Sequence, residues 1–140
     1  MNTRMDPRTD LDHRIEAIES GYEFLLAYAA QGRETDRGAA PGRSVREHLE
    51  RMETALEGLG AVVLECARAV DPKLASVCSA FLAAVDADAK IAHAALRLVV
   101  SRAAISSQLI DNLNASIHLR ALLTDLFVVD EALKGERKTE

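Results

Sequence analysis

The chain has 140 residues, a net charge of −5 and a hydrophobic content of 49%, with aromatic residues at 4%. This length suits a single domain with a core of its own, and the lack of a sustained basic stretch argues against nucleic-acid binding. No apolar run approaches membrane-spanning length and no signal region stands at the N-terminus, so we expect a cytoplasmic protein that contacts no membrane.

Apolar residues recur at spacings of three and four along most of the chain, which predicts an all-α fold. Proline is scarce and no long alternation of β-branched residues occurs, which argues against a sheet. We therefore expect an up-down-up-down antiparallel four-helix bundle over residues 9–134, between a flexible tail at 1–8 and a charged tail at 135–140. The helices are expected at about 10–31, 44–70, 72–102 and 106–133.

The first predicted helix has apolar residues on two sides. One side steps through Leu11, Ile18 and Leu25, and Phe24 and Tyr28 lie on roughly the opposite side. The second patch either packs beneath the following connection or forms a subunit interface. That connection, residues 32–43, is charged and rich in glycine, and we expect it to be a mobile, solvated span or a partner-binding loop.

The second and third predicted helices form a hairpin. Ser44 and Glu47 have the spacing of a capping box, and Asp71 followed by Pro72 predicts a tight turn into the next helix. Gly58 and Gly60 are weak helix formers, which favours close approach of a neighbour at this point.

The two cysteines of the hairpin, Cys66 and Cys78, lie at equal distances from the turn. Reduced core residues are the favoured interpretation. A disulfide across the hairpin and a catalytic thiol are the alternatives.

Two charged residues interrupt the apolar sides of the last two predicted helices. Asp88 falls within the third and Arg120 within the fourth, and both are equidistant from a turn centred on Ala104. An unpaired ion in an apolar core costs on the order of several kcal/mol, so each of these residues needs an oppositely charged partner. We therefore expect an Asp88–Arg120 ion pair that fixes the register of the two helices. The alternative is that one of them reaches water from an edge.

The second half of the fourth helix is apolar nearly all round, which requires cover on more than one side. With Phe24 and Tyr28, this stretch predicts a homodimer formed through the first and fourth helices. The residues expected at the interface on the fourth helix are Leu119, Leu122, Leu126 and Val129.

Two groups of residues that include a histidine suggest chemistry, and a third pattern is absent. His93, flanked by Lys90 and Arg97, has the setting of a phosphoacceptor in a histidine phosphotransfer bundle. Asp111, Asn114 and His118 share one sector of the fourth helix, which is either a solvent face or a ligand pocket. The Glu-x-x-His pattern of di-iron bundles is absent, so we expect no metal site and no cofactor.

These observations favour a small non-enzymatic interaction module, regulatory or assembly-related, that binds a protein partner of unidentified chemistry through its helix surfaces. The alternatives are a histidine phosphotransfer bundle with His93 as acceptor and a bundle that binds a small ligand.

Overall fold

The computed structural model describes residues 5–38 and 44–137. In these ranges the chain is all-α, as predicted, with seven helices and no strand. They are α1 (Pro7–Ala29), α2 (Val45–Leu56), α3 (Leu59–Val70), α4 (Pro72–Val77), α5 (Ser79–Val100), α6 (Ser107–Ala115) and α7 (His118–Arg137). No helix in the described ranges has the length and hydropathy that a bilayer crossing requires. Residues 1–4, 39–43 and 138–140 of the predicted tails and loop lie outside the described residues.

Helix α1 begins earlier than the apolar spacing predicts. The Asp6 carboxylate accepts a hydrogen bond from the Thr9 backbone N–H, and Pro7 takes the first helical position, where its missing N–H costs nothing. Arg8 forms ion pairs with Asp12 and with Asp130 of α7. Residues 7 and 8 are therefore part of the fold and not of a flexible tail.

The predicted helix over 44–70 is two helices. Its start is as expected, since Ser44 and Glu47 form both hydrogen bonds of the capping box. The interruption lies at Gly58, whose φ of 70° leaves the right-handed helical region and is readily adopted only by glycine. Gly60, in the first turn of α3, approaches α5 so closely that an added Cβ would lie 2.2 Å from Asp86 Oδ1.

The predicted helix over 72–102 is also divided. Asp71 caps α4 through the Lys73 backbone N–H, as expected. Helix α4 then ends at Val77, and Cys78, with a φ of −110°, separates it from α5. The Cys78 thiol donates a hydrogen bond to the Leu74 carbonyl, which satisfies an acceptor in the last turn of α4.

The last predicted helix, over 106–133, breaks between α6 and α7. Ile117 adopts a φ of 63°, a left-handed conformation that is rare for a β-branched residue and redirects the chain. The connection from α5 to α6 covers residues 101–106, and Ser106 caps α6 through the Leu109 N–H.

One apolar core joins the helices. Helix α1 packs against α2, α3, α6 and α7, while α5 packs against α2, α3 and α7. Fully buried side chains from six of these helices meet in it: Leu11, Ile18, Leu25, Leu49, Met52, Leu59, Leu96, Ile110, Leu119, Leu122 and Leu126. The more specific antiparallel four-helix arrangement stays a prediction.

The described part of the predicted loop, residues 32–38, is tied to the α5–α6 connection. Asp36 accepts hydrogen bonds from the Ile105 backbone N–H at 2.9 Å and from Arg46 Nε at 3.2 Å. Arg46 also donates to the Val100 carbonyl at the end of α5. Ser107 and Arg33 exchange two further hydrogen bonds. This segment therefore holds the ends of α1, α2, α5 and α6 together.

Candidate functional site

The apolar patch predicted on the outer side of α1 is covered by the chain itself. The Phe24 ring stacks on the His48 imidazole, with centroids 4.0 Å apart. Tyr28 is buried, and its hydroxyl donates a 2.6 Å hydrogen bond to the Ile105 carbonyl. Burial raises the pKa of the Tyr28 phenol, more than the nearby Arg33 lowers it. Tyr28 therefore packs beneath the following connection, whose Arg33 lies 6.0 Å from its ring centroid, whereas Phe24 is partly buried against α2.

The predicted interface on the fourth helix lies in the core of α7. The exposed fractions of Leu119, Leu122, Leu126 and Val129 are 2%, 0%, 0% and 7%. Helix α7 reaches this burial because α1, α3, α5 and α6 all contact it. A helix that is apolar nearly all round can thus be covered within one chain, and these four residues are not free to bind a second copy.

The predicted Asp88–Arg120 ion pair is wrong. Arg120 is exposed and forms no ion pair with any residue in the described ranges, whereas Asp88 hydrogen-bonds to Asp125 of α7. The connection at 101–106 and the break at Ile117 shift α7 along α5, so that residues equidistant from Ala104 do not face each other.

The Asp88–Asp125 carboxyl pair joins α5 to α7. Burial, the largest cause, acts together with the hydrogen bond and the negative charge of Asp88 to raise the pKa of Asp125 to about 6. Two carboxyl groups in contact cannot both ionise without repulsion, so Asp125 stays protonated until the pH rises to about 6.

Exposed apolar side chains surround this pair on its solvent side. Residues three or four positions from a helical residue are its surface neighbours. For Asp88 the exposed neighbours are Ala84 and Ile91, and for Asp125 they are Ala121 and Val128. Ile91 and Val128 are 47% and 54% exposed.

Leu98, one heptad after Ile91, is 67% exposed and extends the same side of α5. We name the surface made by these residues the carboxyl-pair face: Ala84, Asp88, Ile91, Leu98, Ala121, Asp125 and Val128. The exposed positions of α5 carry only two charged residues, Lys90 and Arg97, so most of this helix offers alanine, isoleucine and leucine to solvent. An apolar solvent side on a helix typically marks a contact surface.

Arg120 lies beside this face. It lines a cavity of about 370 Å³ together with Asp125, Ala121, Thr124 and Ile117. The face therefore has an acidic centre and a cationic margin.

Replacing Asp125 by asparagine should raise the free energy of unfolding at pH 7.5 by about 1 kcal/mol, a value reduced for solvent screening of a pair near the surface. The folded pKa of about 6 exceeds the ordinary carboxyl value of 3.8, so wild-type stability falls as the pH rises from 4 through 6. The asparagine variant lacks this fall. Urea unfolding of both proteins at pH 4.5 and 7.5 measures the stability difference at each pH. A difference between the two proteins that does not vary with pH would contradict the raised pKa of Asp125.

His93 does not have the surroundings of a phosphoacceptor. Its Nε2 atom lies 3.6 Å from Glu53 Oε2 and 3.6 Å from Glu57 Oε2, both supplied by α2 and its C-cap. A phosphoryl group on this nitrogen would be placed against two carboxylates, whose charge repels it. The two flanking cations are engaged elsewhere, Lys90 with Asp86 and Arg97 with Glu53.

The three residues of the predicted ligand pocket do not share a site. Asp111 lines a cavity of about 450 Å³ between the end of α1 and the start of α6, which neither Asn114 nor His118 lines. Asn114 Nδ2 donates to the Leu25 carbonyl. His118 is exposed at the start of α7, beyond the break at Ile117, so the common sector of a continuous helix does not form.

The cysteines are free thiols, so the disulfide alternative is not formed. Cys66 is 3% exposed, and burial raises the pKa of its thiol to about 11. A thiol that ionises so far above neutrality is a poor nucleophile. Cys66 is therefore a core residue, as the favoured interpretation expected of both cysteines, whereas Cys78 is only partly buried.

Comparison with protein-family models, with curated proteins and with solved structures finds no match for this chain. What the chain does is therefore inferred from its own side chains.

Proposed function

We propose that this chain is a small non-enzymatic interaction module that forms a homodimer through the carboxyl-pair face. The observation that carries the proposal is the exposure of Ile91, Leu98 and Val128 on adjoining sides of α5 and α7. Their burial against apolar partners contributes about 1.5–3 kcal/mol for each side chain that becomes fully buried. We therefore still propose a homodimer, but with an interface formed by α5 and α7 in place of the α1 and α7 interface expected from the sequence.

A second copy suits this face because its charges complement themselves. A twofold axis brings the same surface of two copies together. If residue i of one copy contacts residue j of the other, then residue j of the first copy also contacts residue i of the second. The face has two carboxyl groups, Asp88 and Asp125, and an exposed guanidinium at Arg120 that no residue in the described ranges pairs. The arginine of one copy can therefore approach the carboxyl pair of the other.

The alternatives have less support. For phosphotransfer, the carboxylates of Glu53 and Glu57 would repel the phosphoryl group on a phosphorylated His93. For a small-ligand bundle, Asp111, Asn114 and His118 do not converge. A regulatory or assembly role, a further protein partner and the cytoplasmic compartment stay predictions from the sequence.

Ile91→Glu and Leu98→Glu should each convert a dimer to a monomer, weakening association by about 100-fold or more, because each places an unpaired charge in the contact. Size-exclusion chromatography with light scattering over a range of protein concentrations measures this. Leu26→Glu is the matched control, since Leu26 of α1 is exposed to nearly the same extent as Ile91, 48% against 47%, and lies outside the face.

A wild-type chain that is monomeric at every concentration would overturn the proposal. So would equal dissociation by Leu26→Glu, which would point to a general effect of added charge. Circular dichroism of each variant separates lost association from lost folding.

A further inference from the structure

We infer that Glu53, Glu57 and His93 form a binding site for a divalent transition-metal cation, with Zn²⁺ as the reference ion. Each residue offers one ligand atom, and these three atoms all lie within 4.8 Å of one another. The site is on the side of α5 that packs on α2, and it shares no residue with the carboxyl-pair face.

The distances suit a tetrahedral ion. His93 Nε2 is 3.6 Å from one oxygen of each glutamate. Ligands at about 2.0–2.1 Å from a tetrahedral Zn²⁺ are separated by about 3.4 Å. The two distances from His93 are thus close to this value, and the separation of the two glutamate oxygens is within 4.8 Å.

The backbone places both glutamates beside the histidine. Glu53 and Glu57 are four residues apart, so they project from the same side of the last turn of α2. Glu57 is the C-cap, and Gly58, with its positive φ, turns the chain away immediately afterwards. The turn leaves a cavity of about 300 Å³, lined by Leu56, Glu57, Gly58, Lys90 and His93, through which an ion can enter.

One donor atom, His93 Nε2, is left unsatisfied by the described residues, and a second donor, Glu53, is held by an exposed cation. His93 Nε2 is shielded from solvent and has no hydrogen-bond partner. Glu53 is 8% exposed, and a carboxylate so far from water requires a cation. Arg97 supplies one, with Nη1 3.1 Å from Glu53 Oε2, but its side chain is 68% exposed and can leave readily.

The donor types indicate the class of ion. An imidazole nitrogen suits Zn²⁺ and other first-row transition ions, whereas Ca²⁺ and Mg²⁺ prefer oxygen ligands alone. Three protein ligands leave one position of a tetrahedral ion for water or another small ligand.

Calorimetric titration of ZnCl₂ into the full chain, without an affinity tag, should give one saturable site per chain at pH 7.5. His93→Gln should weaken this binding by about 100-fold or more, because it removes a ligand and not an outer contact. His118→Gln is the matched control, since His118 is an exposed histidine elsewhere on the molecule and should leave the affinity unchanged. No saturable binding, or equal binding by His93→Gln, would overturn the site.

Glu57→Gln gives a second test that does not endanger folding, because the Glu57 side chain is 62% exposed. It should also weaken Zn²⁺ binding strongly. Unchanged affinity would contradict the site. Absorption of bound Co²⁺ identifies the donors: intense thiolate bands would assign the ion to a cysteine and overturn the proposal, whereas weak visible bands of a nitrogen and oxygen set would support it.

Arg97→Ala provides a readout that a merely structural cluster would not give. Removal of the competing guanidinium frees the Glu53 carboxylate, so Zn²⁺ affinity should rise severalfold. An unchanged or lower affinity would contradict the placement of Glu53 among the ligands.

Discussion

Replacement of Leu122 by alanine is expected to lower the free energy of unfolding by about 3 kcal/mol, the largest effect of the substitutions considered. Leu122 has no exposed surface and lies where α7 meets the core. Truncation removes buried methyl groups and leaves a cavity that the surrounding helices cannot fill completely. Urea denaturation followed by circular dichroism measures the loss.

The same experiment separates a core residue from an interface residue. If Leu122 were covered by a second copy, the destabilisation would depend on protein concentration. For a core leucine the difference between wild type and variant is constant across concentrations. Leu26→Ala is the control, because Leu26 is 48% exposed and lies outside the carboxyl-pair face, so its truncation should cost less than about 0.5 kcal/mol at every concentration.

Much of the fold follows from local patterns in the sequence. Apolar spacings of three and four predict helices throughout, and capping at Ser44 and Asp71 predicts where two of them begin. These features depend on neighbouring residues alone, so a single sequence contains them. The same holds for the buried Cys66, whose apolar character and position on a helix side predict a core residue.

The interruptions of the helices depend on tertiary contacts and were not predicted. Gly58 is visible as a weak helix residue, but that property alone does not specify its left-handed conformation, with a φ of 70°. Ile117 gives no local signal at all, since a β-branched residue with a positive φ is held there only by its surroundings. The error in the Asp88–Arg120 pairing follows from this break, because pairing across a hairpin assumes straight helices.

The cation site was missed for a related reason. The Glu-x-x-His pattern requires glutamate and histidine on one helix, whereas the structure combines Glu53 of α2 and its C-cap Glu57 with His93 of α5. The available signal was the spacing of Glu53 and Glu57, which puts both carboxylates on one helix side. That signal alone is common on helix surfaces, and only the packing of α5 on α2 adds His93 to it.

Asp36→Ala is expected to cost about 2 kcal/mol of stability, although Asp36 lies in a segment that the sequence describes only as a connection. Its carboxylate accepts the Ile105 backbone N–H, and Ile105 is fully buried. Removal of the acceptor leaves that donor without a partner, at a cost of about 1–3 kcal/mol. Arg46 loses its ion-pair partner but keeps its bonds to the Val100 and Arg102 carbonyls.

The pH dependence of this loss gives the sharper test. Burial acts to raise the pKa of Asp36, but the Ile105 N–H and Arg46 outweigh it and hold the pKa below its ordinary value of 3.8. The stabilisation is therefore complete above pH 3.8 and is lost as the pH falls through the lowered folded value. Urea unfolding of wild type and Asp36→Ala should differ by a constant amount from pH 5 to 7, and less below pH 3.8.

Asp36→Asn is the matched variant, because its amide oxygen can still accept the Ile105 N–H while the charge that pairs with Arg46 is gone. It should lose less stability than Asp36→Ala, since the buried donor keeps its partner. Equal losses for the two variants would assign the effect to the ion pair alone. In that case the Ile105 hydrogen bond would not be what fixes the connection between α5 and α6.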